Sequence, residues 1–125
     1  MTVLIDSWAW IEYFKGSKAG KKAKEIIENL EERAVISTIN IAEVYRWILR
    51  LYDEGKAEEK REAMRQRAFV YDVDEETAVE AAKIRHQKNW GLADSIVYAT
   101  AKRANAKILT GDIDFKDLEG IIFIG

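Results

Sequence analysis

The sequence predicts one α/β domain built around a parallel β-sheet and spanning residues 1–125. Apolar segments of strand length alternate with longer segments of helical periodicity along the whole chain, a pattern typical of βαβ units. With 125 residues, the chain is long enough for one continuous core and too short for two. Its composition, 48% hydrophobic and 34% charged, is typical of a globular protein. No Gly/Ser-rich linker, low-complexity tract or internal repeat interrupts the alternation.

The first half of the chain predicts two short strands and three helices. The strands are expected at Thr2–Ile5 and Ala34–Ser37, and the helices at Trp8–Lys15, Lys21–Arg33 and about Asn40–Glu54. The helix predictions depend on apolar residues three and four positions apart, as at Ala23, Ile26 and Ile27. Gly16 is expected to break the first helix, and Gly55 is expected to end the third.

The second half predicts three more helices and three more strands. The helices are expected at Ala57–Arg67, Glu75–Lys88 and Leu92–Asn105, and the strands at Phe69–Val73, Lys107–Thr110 and Ile121–Ile124. Asp74 is expected to cap the helix that follows it, and Gly91 precedes another helix. The segment from Gly111 to Asp114 is expected to form the turn between the last two strands.

The composition excludes several kinds of chemistry. The chain has no cysteine, which rules out disulfides, thiolate zinc sites and a cysteine nucleophile, and fits a cytoplasmic location. His86 is the only histidine, so one subunit cannot use two histidines as acid and base, and its basic helix end is typical of a solvated residue. We expect no secretory signal, because the sequence opens directly into Val3-Leu4-Ile5-Asp6 with no basic segment before a long apolar one. We expect no membrane span, because no segment approaches the roughly 20 apolar residues required. The net charge of -2 does not indicate an unspecific duplex binder.

Acidic residues follow the predicted strands or lie in the first turns of the next helix, at Asp6, Glu43, Asp94, Asp112 and Asp114. Each has a structural explanation when it is taken alone. Asp6 could cap the helix that follows it, and Glu43 lies at the spacing of a capping box that starts at Asn40. The dipole of the helix would stabilise Asp94, and the last two acids are of a type favoured in turns.

The joint placement of these acids favours a metal site. The carboxyl ends of parallel strands meet at one edge of a sheet, where open α/β folds bind their ligands. Two carboxylates about 4 Å apart repel each other by around 4 kcal/mol at an effective dielectric constant near 20, so a cation must offset the repulsion. Oxygen ligands select hard cations, and a few carboxylates with water suit Mg²⁺ or Mn²⁺.

Four motifs, taken in order, carry a family resemblance. They are Asp6-Ser7 after the first strand, Ala42-Glu43-Val44, the segment Leu92-Ala93-Asp94-Ser95-Ile96-Val97, and the segment Thr110-Gly111-Asp112-Ile113-Asp114-Phe115. In order and spacing they resemble the PIN domain, and the chain is similar in size to the VapC-type toxins of toxin-antitoxin pairs. The resemblance covers almost the whole chain.

The resemblance implies a three-layer α/β/α fold with a central parallel sheet, and a metal-dependent ribonuclease. The residues that match the family's acidic positions are Asp6, Glu43, Asp94 and Asp112, with Asp114 as an auxiliary acid and Ser7 and Thr110 as supporting hydroxyls. Family members commonly form homodimers and bind an antitoxin that covers the acidic cavity, so the expected partners are RNA, a second copy of the chain and an antitoxin. Trp8 and Trp10 depart from the pattern, because they are bulkier than the residues usual after the first Asp.

Within the implied site, Asp6 and Asp94 are expected to be the main metal ligands. Glu43 and Asp112 would complete the site directly or through water, and one of them would orient the attacking water. The substrate rim is expected at Arg46 and Arg50, which lie one turn apart after Glu43 and could contact RNA phosphates.

The aromatic segment Trp8–Phe14 is apolar nearly all round, so we expect it to pack in the core. The alternative is a partner-binding surface that it would form with Trp47 and Tyr52.

Two alternatives to a nuclease remain. A phosphoryl-accepting α/β domain also has an Asp at the end of its first strand, but a phosphatase of that kind would have a second Asp where Trp8 lies. A receiver domain would have paired acids where Leu4 and Ile5 lie. A PIN-like binding module without catalytic activity would keep the fold, and the presence of every expected acid argues against it.

Overall fold

Five strands and six α-helices alternate along residues 1–31 and 34–125, the part of the chain that the computed structural model describes. The strands are β1 (Val3–Ile5), β2 (Ala34–Ser37), β3 (Ala68–Tyr71), β4 (Lys107–Thr110) and β5 (Ile121–Phe123). The helices are α1 (Ser7–Lys15), α2 (Lys18–Glu28), α3 (Thr38–Leu51), α4 (Glu54–Arg67), α5 (Glu75–Lys88) and α6 (Leu92–Ala104). A short 3₁₀-helix, Ile113–Phe115, lies between β4 and β5.

The five described strands form a parallel sheet with the order β3-β2-β1-β4-β5. The chain moves outward from β1 through β2 to β3, and then returns to the other side of β1 for β4 and β5. The strand order therefore reverses between β1 and β4, which is where parallel sheets bind ligands at the carboxyl ends of their strands. Ile5 of β1 lies opposite Leu109 of β4, so Asp6 and Thr110 follow side by side at this point.

Alternate residues of the central strand pack against helices on opposite faces of the sheet. Val3 and Ile5 belong to a core formed with α1, α2, α3 and α4, whereas Leu4 packs with Val97 and Ala101 of α6. A further apolar cluster holds α5 against α6. The fold is therefore an α/β/α sandwich whose parallel strands are buried on both faces. The predicted fold class is confirmed.

The start of α3 differs from the prediction. Ser37 is the N-cap, because its Oγ accepts a hydrogen bond from the backbone N–H of Ile39 at 3.2 Å. Asn40 completes the capping box, since its Oδ1 accepts from the N–H of Ser37 at 2.8 Å. The helix therefore begins at Thr38, and the expectation that Asn40 starts a capping box with Glu43 is wrong.

The boundary between α3 and α4 also differs from the prediction. α3 ends at Leu51, and Asp53 caps a new helix by accepting a hydrogen bond from the N–H of Lys56 at 2.7 Å. Gly55 therefore does not end a helix. It lies in the first turn of α4, where the backbone N–H groups have no helical partners to lose.

α2 begins at Lys18, before its predicted start, because Ser17 Oγ accepts a hydrogen bond from the N–H of Gly20 at 3.0 Å. A side chain at Gly20 would overlap the backbone carbonyl of Glu12, so this glycine allows α1 and α2 to pack closely. The helix ends at Glu28, so its predicted continuation over 29–31 is wrong, and the predicted end at Arg33 lies outside the described residues.

The other predicted elements lie within three residues of their observed bounds, and β2, β4 and α5 match them. Asp74 caps α5 as predicted, since its Oδ1 accepts a hydrogen bond from the N–H of Thr77 at 2.8 Å. Over the described ranges, no helix has both the length and the apolar character that a membrane crossing needs.

Candidate metal centre

Four carboxylates line one open cavity of about 490 Å³ at the carboxyl edge of the sheet. Asp6 follows β1 and Asp112 follows β4, while Glu43 lies in the second turn of α3 and Asp94 in the first turn of α6. The fold thus brings together four of the five acids that the sequence singles out, although they are spread over most of the chain.

Asp6 is oriented by a hydrogen bond from the neighbouring strand. Thr110 Oγ1 donates to Asp6 Oδ2 at 2.8 Å, and Asp6 is only 5% exposed. Asp6 occupies the N-cap position of α1, but its side chain makes no capping hydrogen bond. The capping explanation is therefore wrong for Asp6, and its carboxylate belongs to the cavity instead.

Thr110 also connects Asp6 to the turn after β4. The N–H of Asp112 donates to Thr110 Oγ1 at 3.0 Å, and the N–H of Asp114 donates to Asp112 Oδ1 at 2.9 Å. The turn explanation thus accounts for one carboxylate oxygen of Asp112. Its other oxygen makes no hydrogen bond within residues 1–31 and 34–125.

Glu43 is oriented by a chain of hydrogen bonds from the end of β2. Asn40, whose Oδ1 accepts from Ser37, donates from Nδ2 to Ser7 Oγ at 3.0 Å. Ser7 Oγ in turn donates to Glu43 Oε1 at 2.8 Å. Sequence reasoning missed Asn40, which is fully buried. The available signal was the Ser-x-x-Asn spacing from Ser37, which marks a helix start at Thr38.

Asp94 is grouped with the acids of the turn. Carboxylate oxygens of Asp94, Asp112 and Asp114 all lie within 4.8 Å of one another, a separation at which one cation could contact all three. Asp94 is partly buried in the first turn of α6, where the helix dipole also stabilises it, whereas Asp114 is exposed. The compact group thus includes Asp114, which the sequence suggests only as an auxiliary acid, and it does not include Asp6.

The electrostatics of the cavity favour a bound cation. The pKa of Asp6 is raised to about 7, mainly by burial and further by the charges of Glu43 and Asp94. The pKa of Asp94 is raised to about 6, again mainly by burial and then by the charges of Asp112, Asp114 and Glu43. Ionisation of these two carboxyls is therefore opposed by burial and, to a smaller extent, by the neighbouring acids. A cation among the carboxylates would lower both pKa values.

The donor atoms of the cavity fit a hard divalent cation. Carboxylate and hydroxyl oxygens line it, whereas His86 is exposed on α5 and is not a lining residue. Arg46 and Arg50 of α3 also line the cavity. Neither guanidinium forms an ion pair with a carboxylate in the described part of the chain, so the acids are not neutralised from within.

The cavity also has apolar lining residues, which are Trp8 and Ile11 of α1 and Trp47 of α3, and all three pack against the same core. The expectation of core packing holds for Trp10, which is fully buried. Trp8 is only partly buried and borders both the core and the cavity. Sequence periodicity could not show that Trp10 lies in the core and Trp8 at the cavity, because the aromatic segment is apolar nearly all round.

Comparisons with known proteins bear on the family and the fold of the chain. The sequence profile of the PIN domain family matches residues 3–121, and no curated protein matches the chain by sequence. The fold is similar to a chain of a toxin-antitoxin complex from Klebsiella pneumoniae, with 21% identity, 98% of both chains covered and a TM-score of 0.80. It is similar to a sarcin-ricin loop cleaving VapC toxin of Mycobacterium tuberculosis, with 15% identity, 95% of this chain and 96% of that chain covered, and a TM-score of 0.79. It is also similar to FitAcB from Neisseria gonorrhoeae, with 24% identity, 97% and 96% covered, and a TM-score of 0.69.

Proposed function

The chain belongs to the PIN domain family, and from this premise we propose that it is a Mg²⁺- or Mn²⁺-dependent ribonuclease and the toxin of a toxin-antitoxin pair. The observation that carries the proposal is the convergence of four carboxylates at the reversal of strand order between β1 and β4. The raised pKa values of Asp6 and Asp94 support it: burial raises them first and the neighbouring acids raise them further, and a bound cation would offset both costs of ionisation. The proposed reaction adds water to an RNA phosphodiester and breaks the P–O bond to the leaving oxygen.

The carboxylates would have different roles in binding the cation. Asp6 and Asp94 are the proposed main ligands, with Glu43 and Asp112 completing the site directly or through water. Asp114 supports it from the exposed side, since its carboxylate lies in one group with those of Asp94 and Asp112. When bound, the divalent cation activates water and offsets the negative charge of the phosphate.

Glu43 is the proposed group that orients the attacking water. Its Oε1 accepts the hydrogen bond from Ser7, whereas its Oε2 makes no hydrogen bond within the described residues. Asn40 and Ser7 hold the first oxygen in place, so the second has a defined direction toward solvent. A positioned carboxylate of this kind contributes to proton transfer from water.

Arg46 and Arg50 are proposed to bind the RNA backbone. They line the same cavity as the acids, and a guanidinium can bind a phosphate through two parallel hydrogen bonds. These contacts would set the register of the strand on the protein without reading its sequence.

The proposed protein partners are a second copy of the chain and an antitoxin. The complex from Klebsiella pneumoniae is described as toxin with antitoxin, which supports an antitoxin for this chain. Exposed apolar side chains near the end of α3 offer a surface for a partner: Leu49, Leu51 and Tyr52 are 45%, 58% and 63% exposed. The proposed activity would take place in the cytoplasm, where the RNA lies.

Calorimetric titration with Mn²⁺ tests the metal site. The wild type should bind Mn²⁺, and Asp94→Asn should weaken binding by about 10- to 100-fold, the range known even for groups that only support a ligand. The raised pKa values mean that Asp6 and Asp94 are partly protonated near pH 6, so the binding of Mn²⁺ should release protons. The buffer takes up these protons, and the measured heat of binding should therefore change with the ionisation enthalpy of the buffer.

Glu76→Gln is the matched control, because Glu76 lies exposed in the first turn of α5 as Asp94 lies in the first turn of α6. It should leave Mn²⁺ binding unchanged. A wild type that binds no Mn²⁺, or that binds it no better than Asp94→Asn, would contradict the proposed site.

A further inference from the structure

Two of the four tryptophans lack an aromatic partner among the described residues, and both line the acidic cavity. Trp10 and Trp90 each pack against two other aromatic rings, at centroid distances between 5.2 and 6.0 Å. Trp8 and Trp47 make apolar contacts with the core, but neither has a ring contact, a cation over its ring or a partner for its indole N–H within residues 1–31 and 34–125. Their remaining surface is therefore available to a ligand in the cavity.

The ring of Trp8 lies against a glycine, Gly111, in the turn after β4. A side-chain carbon at Gly111 would overlap the six-membered ring of Trp8, so the ring occupies the space where a side chain would be. Gly111 lies between Thr110 and Asp112, whose hydrogen bond orients the turn. The indole is thus held beside the residues that position the acids, and little ordering of Trp8 remains for a ligand to impose.

We propose that Trp8 and Trp47 form a wall that binds an unpaired nucleobase next to the scissile phosphate, an inference that rests on the proposed function of the cavity. The cavity combines an acidic part for a cation, two guanidinium groups and an apolar aromatic side. A nucleotide combines the matching groups, since it has an anionic phosphate and a planar aromatic base one sugar apart. Single-stranded nucleic acids are commonly bound by stacking bases on aromatic side chains.

The proposed wall requires an unpaired base in the substrate. A base within a duplex is stacked and paired, and it reaches an enzyme's cavity only if it is flipped out at a cost of a few kcal/mol. Within a loop or single strand, the wall therefore requires that the base beside the cut be splayed from its neighbours. Stacking accepts every base, so the wall selects unpaired nucleotides rather than a sequence.

Mononucleotide binding tests the wall without requiring cleavage. Adenosine 5′-monophosphate and ribose 5-phosphate carry the same phosphate, and only the first carries a base. In the presence of Mg²⁺, the nucleotide should bind about 5- to 100-fold more tightly and should quench tryptophan fluorescence. Equal binding of ribose 5-phosphate would mean that only the phosphate is recognised, and it would overturn the proposal.

Substitutions assign the effect to the two side chains. Trp8→Leu and Trp47→Leu should each lower the affinity for the nucleotide toward that for ribose 5-phosphate. Trp8→Phe keeps an aromatic ring against the core and should retain part of the affinity, which separates stacking from misfolding. Trp90→Phe is the control, because Trp90 packs against other rings and does not line the cavity. Unchanged affinity in both leucine variants, or an equal loss in Trp90→Phe, would refute the wall.

The outcomes separate this inference from the proposed nuclease. If both leucine variants bind Mn²⁺ and cleave single-stranded RNA as well as the wild type, the wall is wrong and the nuclease stands. If the wild type neither binds Mn²⁺ nor cleaves RNA, yet binds adenosine 5′-monophosphate through Trp8, the nuclease and the position beside a scissile phosphate are wrong, and only the stacking of a nucleobase on the wall stands.

Discussion

The hydroxyl of Thr110 donates a hydrogen bond to Asp6 at 2.8 Å, so the last residue of β4 holds the carboxylate that follows β1. Because the same hydroxyl accepts from the N–H of Asp112 at 3.0 Å, one side chain sets the positions of two acids on adjacent strands. Both Thr110 and Asp6 are buried, so no solvent molecule can easily replace this bond. The geometry of the acidic cavity therefore depends on a residue that would bind no metal itself.

Thr110→Val should weaken Mn²⁺ binding while leaving the fold intact. Valine has nearly the shape of threonine, but it cannot donate to Asp6 or accept from Asp112. Because the Thr110 hydrogen bond lowers the pKa of Asp6, its removal should raise that pKa further. Mn²⁺ titration at pH 7 measures the weakening, which we expect to be about 10- to 100-fold.

Thr110→Ser is the rescue variant, because serine keeps the hydroxyl and removes only a methyl group. Its Mn²⁺ affinity should stay within a few-fold of the wild type. Equal affinities of Thr110→Val and the wild type would show that the hydroxyl does not position the acids.

Asp6→Asn should stabilise the metal-free protein at neutral pH. The folded-state pKa of Asp6 is about 7 and its ordinary value is 3.8, so the folded chain binds more protons than the unfolded chain between these values. The free energy of unfolding of the wild type therefore falls as pH rises from about 4 to about 7. The variant has no carboxyl at this position, so its free energy of unfolding does not fall in this way. For a domain of this size, each difference of about 1 kcal/mol in the free energy of unfolding changes Tm by roughly 3 to 5 °C. Scanning calorimetry in EDTA at pH 8 and pH 4 should show the increase in Tm only at pH 8.

Asp74→Asn is the matched substitution, and it should have the opposite effect on stability. Asp74 is also an N-cap residue, but its pKa is lowered to about 2, first by the backbone hydrogen bond from Thr77 and then by side-chain hydrogen bonds from Thr77 and Arg103. Its contribution to stability is present above about pH 4 and is lost as pH falls toward 2. The variant should therefore have a lower Tm than the wild type at pH 7. A higher Tm for both substitutions, or for neither, would contradict this account of Asp6.

Asn40→Ala should reduce both stability and RNA cleavage. The variant leaves the buried N–H of Ser37 without an acceptor and removes the donor to Ser7, so Glu43 is no longer oriented. The removal of a partner from a buried polar group costs about 1–3 kcal/mol, measurable by urea unfolding.

Asn29→Ala is the control for this residue type, since Asn29 is exposed and its side chain donates to the carbonyl of Glu25 at 2.6 Å. It should change stability by less than about 0.5 kcal/mol and leave cleavage unaffected. Full cleavage activity in Asn40→Ala, measured where that variant is folded, would rule out the proposed orientation of Glu43.

Arg46→Gln and Arg50→Gln should each weaken the binding of single-stranded RNA and reduce its dependence on salt. Removal of one arginine–phosphate interaction should reduce the slope of log affinity against log salt by about 0.7. Arg65→Gln is the control, because Arg65 is exposed on α4 and is not among the residues that line the cavity. Slopes that are identical in all four proteins would exclude the two arginines from the RNA-binding surface.

The sheet and most of the helices could be predicted because they depend on local apolar patterns. The segments Ala34–Ser37 and Lys107–Thr110 are short and apolar, and α5 has a clear cap at Asp74. The start of α3 could not be placed in the same way, because the segment Thr38–Ile41 contains β-branched residues that also suit a strand. The boundary at Gly55 could not be placed either, because a glycine can lie in a first helical turn as well as after a last one.

The acids that line the cavity could be singled out because each follows a strand or lies in the first two turns of a helix. The residues that orient them depend on contacts between distant parts of the chain, as between Asn40 and Ser7, which lie 33 positions apart. The proposed wall depends on such a contact as well, since the ring of Trp8 packs against Gly111, which lies 103 positions later in the chain. Sequence patterns predict which face of a helix is apolar, but they do not predict which part of that face borders a cavity.

The most direct test of the metal-dependent nuclease is cleavage of single-stranded RNA by the purified protein, with Mg²⁺, with EDTA, and with Mg²⁺ restored after EDTA. The wild type should cleave only in the presence of Mg²⁺, and Asp94→Asn should reduce activity by about 100-fold or more, since a main ligand of the site is removed. Glu76→Gln, purified in the same way, should cleave as the wild type does. Cleavage that survives both EDTA and Asp94→Asn would contradict the account.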